Sequence, residues 1–212
     1  EDALGLYRHS AAHLLAAAVT NLFPDVQCGI GPATDEGFFY DFVVPRPFVP
    51  EDLDAIEQKM RELAQQDLPY ERQYWPREEA LAFFAARGEP LKVQLIDEKT
   101  AGQADVSCYT IKDRQTFVDF CTGPHVPSTG RLKAFKLLST SNAYWKGDAR
   151  NQPRSIQARQ YLPRLHALAF LRQNGGDAFA VIESQRYLAQ VYIAVEQQDL
   201  LIVIPAAPMP DP

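Results

Sequence analysis

Two pairs of residues in this chain have the spacing of a chemical site. His9 and His13 stand four apart in YRHSAAHLL, and Cys121 and His125 stand four apart in VDFCTGPHVPSTG. On a helix that interval stacks two imidazoles on one face, one turn apart, as a metal ion or a shared substrate requires. By itself the first pair more often means two satisfied histidines on an Ala-rich helix. It also lacks the Glu beside the first histidine that a zinc protease uses as its base. The second pair brackets Gly123-Pro124 behind a run of strand-formers, where the plain alternative is a tight turn holding a buried thiol. Three of the four histidines and one of the three cysteines fall into these pairs. Together they supply three nitrogens and one sulfur, which makes either one tetrahedral zinc shell or a catalytic pocket of the same shape. The remaining histidine, His166, sits in a C-terminal helical pattern and is assigned no chemistry.

The elements that must position these residues can be read from pattern. YRHSAAHLLAAAVTNLF, closed by Pro24-Asp25, predicts a helix apolar nearly all round and therefore buried. VQCGIGPATDEGFFYDFVV predicts a hairpin, and Pro45, Pro47 and Pro50 mark a loop. From Glu51, the spacing of Leu53, Ile56, Met60 and Leu63 predicts an amphipathic helix with acids in its first turn. Residues 77–87 predict a shorter helix stopped by Gly88, followed by LKVQLID as a strand. SCYTIKD and TFVDF predict two strands around a turn at Asp113-Arg114, and FKLLSTSNAYW another strand. Residues 155–173 and about 181–198 read as helices, and PAAPMPDP as a disordered tail. The expected fold class is α+β: two layers, with a largely antiparallel sheet packed on the buried helix that carries HxxxH, and a C-terminal helical extension.

Composition narrows the function classes. The chain has no run of eighteen uncharged apolar residues and no basic-then-apolar leader, so neither a membrane span nor a secretory signal is expected. Three cysteines at 28, 108 and 121 share no short paired spacing; this speaks for a reducing, cytoplasmic setting. The net charge is −6, but the stretch from Val126 to Arg172 is +8 and the remainder −14. From charge alone, a solvated basic face and a phosphate-binding surface stand equally open.

HSAAHLL, IGPATDEGFFYDF, LKVQLID, VDFCTGPHVPSTG and SNAYWKGDARN together resemble the editing domain of threonyl-tRNA synthetases, the second additional N-terminal domain of those enzymes. Alanyl-tRNA synthetase editing domains are more distant relatives. The resemblance runs in order from about Tyr7 to Asn151 and implies an editing-like domain over 1–153. Beyond it the chain departs from the family pattern, and the residues themselves read as a helical extension of unassigned role over 154–204 and a disordered tail over 205–212. It implies that His9, His13, Lys92, Asp119, Cys121 and His125 line a pocket that hydrolyses seryl-tRNA mischarged on the threonine-specific tRNA, with Tyr40 beside them. No cofactor is required in the bacterial threonyl members, whereas the alanyl relatives hold zinc on the residues matching His9, His13, Cys121 and His125.

The chemistry suits these residues. Hydrolysis of an aminoacyl ester needs a placed water, an acceptor for its proton and positive charge near the developing oxyanion. His9 or His13 could be the base or water holder, Lys92 could sit near the oxyanion or ribose, and Asp119 could bind the substrate ammonium. Without the resemblance, Lys92 reads as an exposed strand lysine and Asp119 as a turn cap. Cys121 as a nucleophile would need an activating base, whereas direct water attack does not. Serine differs from threonine by one methyl group, worth about 1–3 kcal/mol of discrimination, so a second site must clear errors by volume; Tyr40 is the candidate wall. The basic stretch then suits a tRNA acceptor end, with Tyr144 and Trp145 for stacking beside Lys146 and Arg150. No class II catalytic motifs follow, so aminoacylation is not expected of this chain. The alternatives are a non-catalytic tRNA-binding or zinc-stabilised module, or a ligase fragment whose activity lies elsewhere. The apolar run LLIVIP would suit self-association.

Overall fold

A computed structural model describes residues 3–35, 37–142, 163–170, 190–195 and 200–205. The first helix, α1 (Ala3–Leu22), is buried on nearly every side: Ala11, Ala12, Leu14, Leu15, Ala16, Ala18 and Val19 have no exposed surface. A helix apolar all round has no face to offer water, and the fold surrounds it. On one side lies α2 (Pro50–Gln65), whose Ile56, Met60 and Leu63 enter the same core. Its start is fixed by Pro50 in the first turn and by Asp52, whose carboxylate accepts from the Val49 N–H at 2.9 Å.

On the other side lies a four-stranded antiparallel sheet in the order β1 (Gln27–Cys28), β2 (Phe38–Val43), β7 (Pro163–Phe170), β6 (Ala134–Asn142). A second sheet runs β3 (Tyr70–Pro76), β4 (Asp105–Ile111), β5 (Asp113–Phe120), again antiparallel. Two short helices, α3 (Arg77–Ala86) and α4 (Pro90–Lys99), close a smaller core of Trp75, Ala80, Phe84, Ile96, Val106, Cys108 and Val118. A hairpin of β8 (Gln190–Val195) and β9 (Leu200–Pro205) completes the described elements. The expected α+β class with antiparallel sheets is what the chain forms. Among the described residues no helix is long and apolar enough to cross a membrane.

Four local expectations are corrected. LKVQLID lies in helix α4, because Pro90 at its first position is pre-set for a helix, Lys99 suits its C-terminal turn, and Lys92 and Ile96 point inward one turn apart. The turn between β4 and β5 is at Lys112, which takes the left-handed conformation (φ 68°), so that Ile111 faces Asp113. Residues 163–170, expected helical, form a strand between β2 and β6. Pro163, which would break a helix interior, is tolerated as the first residue of a strand. Residues 190–195, also expected helical, are strand β8, in keeping with the β-branched and aromatic run of QVYIAV and its pairing with LLIVIP. One strand, β3, went unread, since YERQYWP lacks clean alternation. Of the expected disordered tail over 205–212, Pro205 is instead the last residue of strand β9, and residues 206–212 lie outside the described residues.

Candidate functional site

Helix α1 and the loop after β5 bring the two spaced pairs together. His9, His13, Cys121 and His125 offer ligand atoms that all lie within 4.8 Å of one another. The His9 and His125 rings stack at 4.4 Å between centroids, and His13 sits 4.9 Å from the first and 4.3 Å from the second. The sulfur of Cys121 is at the centre: His9 Nε2 is 3.2 Å from Sγ, His125 Nε2 is 3.4 Å away, and the Gly123 N–H donates to it at 3.2 Å. His9, Cys121 and His125 are half-buried and His13 is buried. The cluster is therefore partly accessible at His9, Cys121 and His125 and closed at His13.

The loop geometry that permits this depends on Gly123. It has φ +66°, and a Cβ there would come within 2.4 Å of the Tyr109 hydroxyl oxygen. Gly123→Ala is therefore expected to destabilise the fold by about 1–3 kcal/mol, read as a lower denaturation midpoint. An unchanged midpoint would show that the loop relaxes freely. Tyr109 also packs its ring edge against His125 at 4.5 Å, and Tyr70 stacks on the same imidazole at 5.1 Å. At Gly31 the constraint is space alone: a Cβ would overlap the Tyr40 ring at 2.1 Å.

Behind His13 is a buried charge network. Lys92 of α4 is ion-paired with Asp119 of β5, and both are 2 % exposed. The Lys92 ammonium also donates to the Tyr40 hydroxyl at 3.0 Å, which in turn donates to Asp119 Oδ2 at 2.5 Å. His13 Nε2 lies 3.7 Å from that same carboxylate oxygen, linking network to cluster. Tyr40 has no exposed surface and stacks on Phe42 at 4.9 Å. Burial lowers the Lys92 affinity for its proton, but the Asp119 carboxylate and its neighbours more than reverse this, so the ammonium stays charged.

Burial sets the protonation of the cluster. His9 titrates below its usual value because of burial, partly offset by the Gly31 carbonyl and Asp119. His13 falls well below it through burial, with the charges of His9 and Lys92 adding, and His125 falls far below through burial and the other two histidines. All three imidazoles are therefore neutral at pH 7, with lone pairs available. The Cys121 thiol is pushed up to about 12, chiefly by burial and then by Asp119, so without a metal it keeps its proton. The linkage has a definite sign. Each histidine binds a proton more readily in the unfolded chain, so stability is full above about pH 6.5 and falls as pH drops through that value. The denaturation midpoint of chelator-treated protein is expected to be lower at pH 5 than at pH 7.5; an equal or higher midpoint at pH 5 contradicts neutral burial.

The donor set fits zinc. Donor atoms of a tetrahedral zinc with bonds of about 2.0–2.3 Å lie about 3.3–3.8 Å apart, near the spacings of Cys121 Sγ to both Nε2 atoms. His13 Nδ1 is buried with no hydrogen-bond partner among the described residues, an orphaned atom suited to a ligand.

All seven residues predicted from His9 to His125, including Tyr40, Lys92 and Asp119, fall in this one assembly. Tyr144, Trp145, Lys146 and Arg150 lie outside the described residues. Lys92, which in isolation would read as an exposed strand lysine, is a buried helix residue, and Asp119 is the partner of that lysine. Sequence reasoning missed Ser10, Gly31, Tyr70 and Tyr109. Only Ser10, a hydroxyl between two histidines on an otherwise apolar helix, left a signal.

Comparison with known proteins gives a consistent result. Residues 106–152 match the family described as the threonyl and alanyl tRNA synthetase second additional domain. The chain is 53 % identical over 151 residues to a threonine–tRNA ligase of Azoarcus, covering 71 % of this chain and 23 % of that protein. It is 47 % identical over 178 residues to the threonine–tRNA ligase of Laribacter hongkongensis, covering 84 % of this chain and 26 % of the relative. A ligase of Teredinibacter turnerae is 53 % identical over 151 residues, 71 % of this chain and 23 % of its own. The matched region thus spans about a quarter of the length of these relatives.

Proposed function

The chain carries a second additional domain of the threonyl- and alanyl-tRNA synthetase kind, and from that premise we propose that it edits: it hydrolyses the ester of serine mischarged on the threonine-specific tRNA. The observation that carries this reading is the convergence of His9, His13, Cys121 and His125 beside a buried, charged Lys92–Asp119 pair. His9 is the half-buried member of the helical pair. Its Nδ1 lies 3.4 Å from the Gly31 carbonyl oxygen, which can only accept, so Nδ1 carries the proton and Nε2 offers a lone pair. That lone pair holds a water and takes its proton as the water oxygen bonds to the ester carbon. The ester C–O bond then breaks, and the proton passes to the departing ribose oxygen, leaving serine and free tRNA. The Lys92 ammonium biases the site towards the negative charge that develops on the carbonyl oxygen, and Asp119 attracts the substrate's ammonium. A protonated Cys121 does not compete as a nucleophile.

Zinc, if bound, would be held by His9, His13, Cys121 and His125. With all four as ligands it would stabilise the fold, and Lewis acidity towards a water or the ester would require one of the four to leave or the shell to expand. Tyr40, fixed by Asp119, Lys92 and Phe42 and without exposed surface, limits the pocket to serine from behind His13, whose ring meets it edge-on at 6.3 Å between centroids. Tyr144, Trp145, Lys146 and Arg150 hold the acceptor end of the tRNA.

A second reading, a zinc-held module without activity, is favoured only by the tetrahedral donor set. Deacylation by the 212-residue chain separates the two. Seryl-tRNA of threonine specificity is expected to be hydrolysed at least tenfold faster than threonyl-tRNA. Seryl and threonyl esters decaying at the same background rate, with a chelator lowering only the melting temperature, would leave the structural reading.

A further inference from the structure

The carboxyl side of the cluster is organised by a residue that lies between the two helical histidines. Ser10 is fully buried on α1, and its hydroxyl oxygen has three neighbours: the Leu6 carbonyl oxygen at 2.9 Å, the Val126 N–H at 2.9 Å and His125 Nδ1 at 3.2 Å. A hydroxyl has one proton and two lone pairs. The Leu6 oxygen can only accept, and at 2.9 Å it would face a bare lone pair unless the hydroxyl proton points to it. The Val126 N–H can only donate, and it takes one lone pair. The remaining lone pair faces His125 Nδ1, so that nitrogen must be the one that carries hydrogen.

We propose that Ser10 is a positioning residue that locks His125 in its Nδ1–H tautomer and so aims the Nε2 lone pair at Cys121 Sγ. Two further contacts hold the same imidazole in place. Tyr70 stacks on it at 15° between planes while its hydroxyl donates to the Ser10 carbonyl oxygen at 2.7 Å, and Tyr109 meets it edge-on. Ser10 thus ties the backbone of α1, the loop at Val126 and the ring of His125 to one oxygen. As the Gly31 carbonyl fixes His9 in the same tautomer, two Nε2 lone pairs converge on one sulfur. A thiol has a single proton, so one of the two acceptors is always left free to take a proton, a water or a cation. Fixing the tautomer by the far nitrogen of a functional imidazole is a general device, and losing it typically lowers affinity or activity by about 10–100-fold.

The tautomer follows from the geometry alone; only its kinetic consequence rests on the hydrolytic reading above. Long-range ¹⁵N–¹H correlation spectra of imidazole-labelled, chelator-treated protein read the protonated nitrogen of His125 directly. Wild type is expected to show a single Nδ1–H form. Ser10→Ala should replace it with a mixture containing Nε2–H and slow seryl-ester hydrolysis about 10–100-fold, while Ser10→Thr, which keeps the hydroxyl, should restore both. An Nε2–H form of His125 in wild type overturns the proposal whatever the variants do, even if they fold poorly. So does a folded Ser10→Ala protein that keeps the single Nδ1–H signature. Correct tautomers without any hydrolysis would instead count against the editing reading.

Discussion

Lys92→Met is expected to lower unfolding stability by about 3–5 kcal/mol, because it strands the Asp119 carboxylate in a site with almost no solvent contact. The Tyr40 hydroxyl would remain as a donor to that carboxylate, but a neutral donor does not replace an ammonium. The double variant Lys92→Met/Asp119→Leu removes both charges and should recover much of the loss, since a buried pair replaced by apolar groups is often neutral. Urea denaturation of the wild type, the two single variants and the double variant forms a complete cycle. A double variant whose loss equals the sum of the two single losses, with no coupling, would mean that the two groups do not interact as described. The prediction is specific to a buried pair: a lysine exposed on a strand would lose only a few tenths of a kcal/mol on the same change.

The largest kinetic effect is expected at His9. Removing a positioned base typically costs a factor of ~10²–10⁴, and His9→Ala should lower the rate of seryl-ester hydrolysis in that range with little loss of fold, because the ring is half-buried. Single-turnover rates for wild type and variant provide the check, with circular dichroism to confirm folding. A variant that retains the wild-type rate would remove His9 from the chemistry and leave His13, whose Nδ1 is buried without a partner among the described residues, as the remaining helical candidate.

The parts of this structure that were legible in the sequence share one property: their signal is local. The buried helix α1 follows from an Ala- and Leu-rich run closed by Pro24-Asp25, and α2 from the spacing of Ile56, Met60 and Leu63. The cluster was legible because each half is a short-range pair, His9 with His13 and Cys121 with His125, and the resemblance supplied the reason for joining them. The misread parts depend on distant partners. LKVQLID alternates well enough to be a strand. Pro90 just before it was a local helix signal, but the inward face of Lys92 and Ile96 is explained only by Asp119, 27 positions from Lys92 in the chain, and by the small core. PRLHALAF carries Leu and Ala at spacings a helix would also use, and it is strand pairing with Tyr40 on one side and Thr140 on the other that decides the matter. No spacing within Tyr40, Lys92 and Asp119 announces that their side chains meet. Ser10 was visible as an odd polar residue on an apolar helix, but its meaning needed the position of His125.

Editing by this site requires a seryl ester to lie against the imidazole of His9 and the sulfur of Cys121. The most direct measurement is a crystal structure of this chain with a non-hydrolysable analogue, serine joined by an amide to the 3′ position of adenosine. The predicted result places the analogue's carbonyl carbon within one water of His9 Nε2, with its ammonium on the Asp119 side. An analogue bound away from His9, His13, Cys121 and His125, or a cluster closed over by packed side chains at saturating analogue, would contradict it.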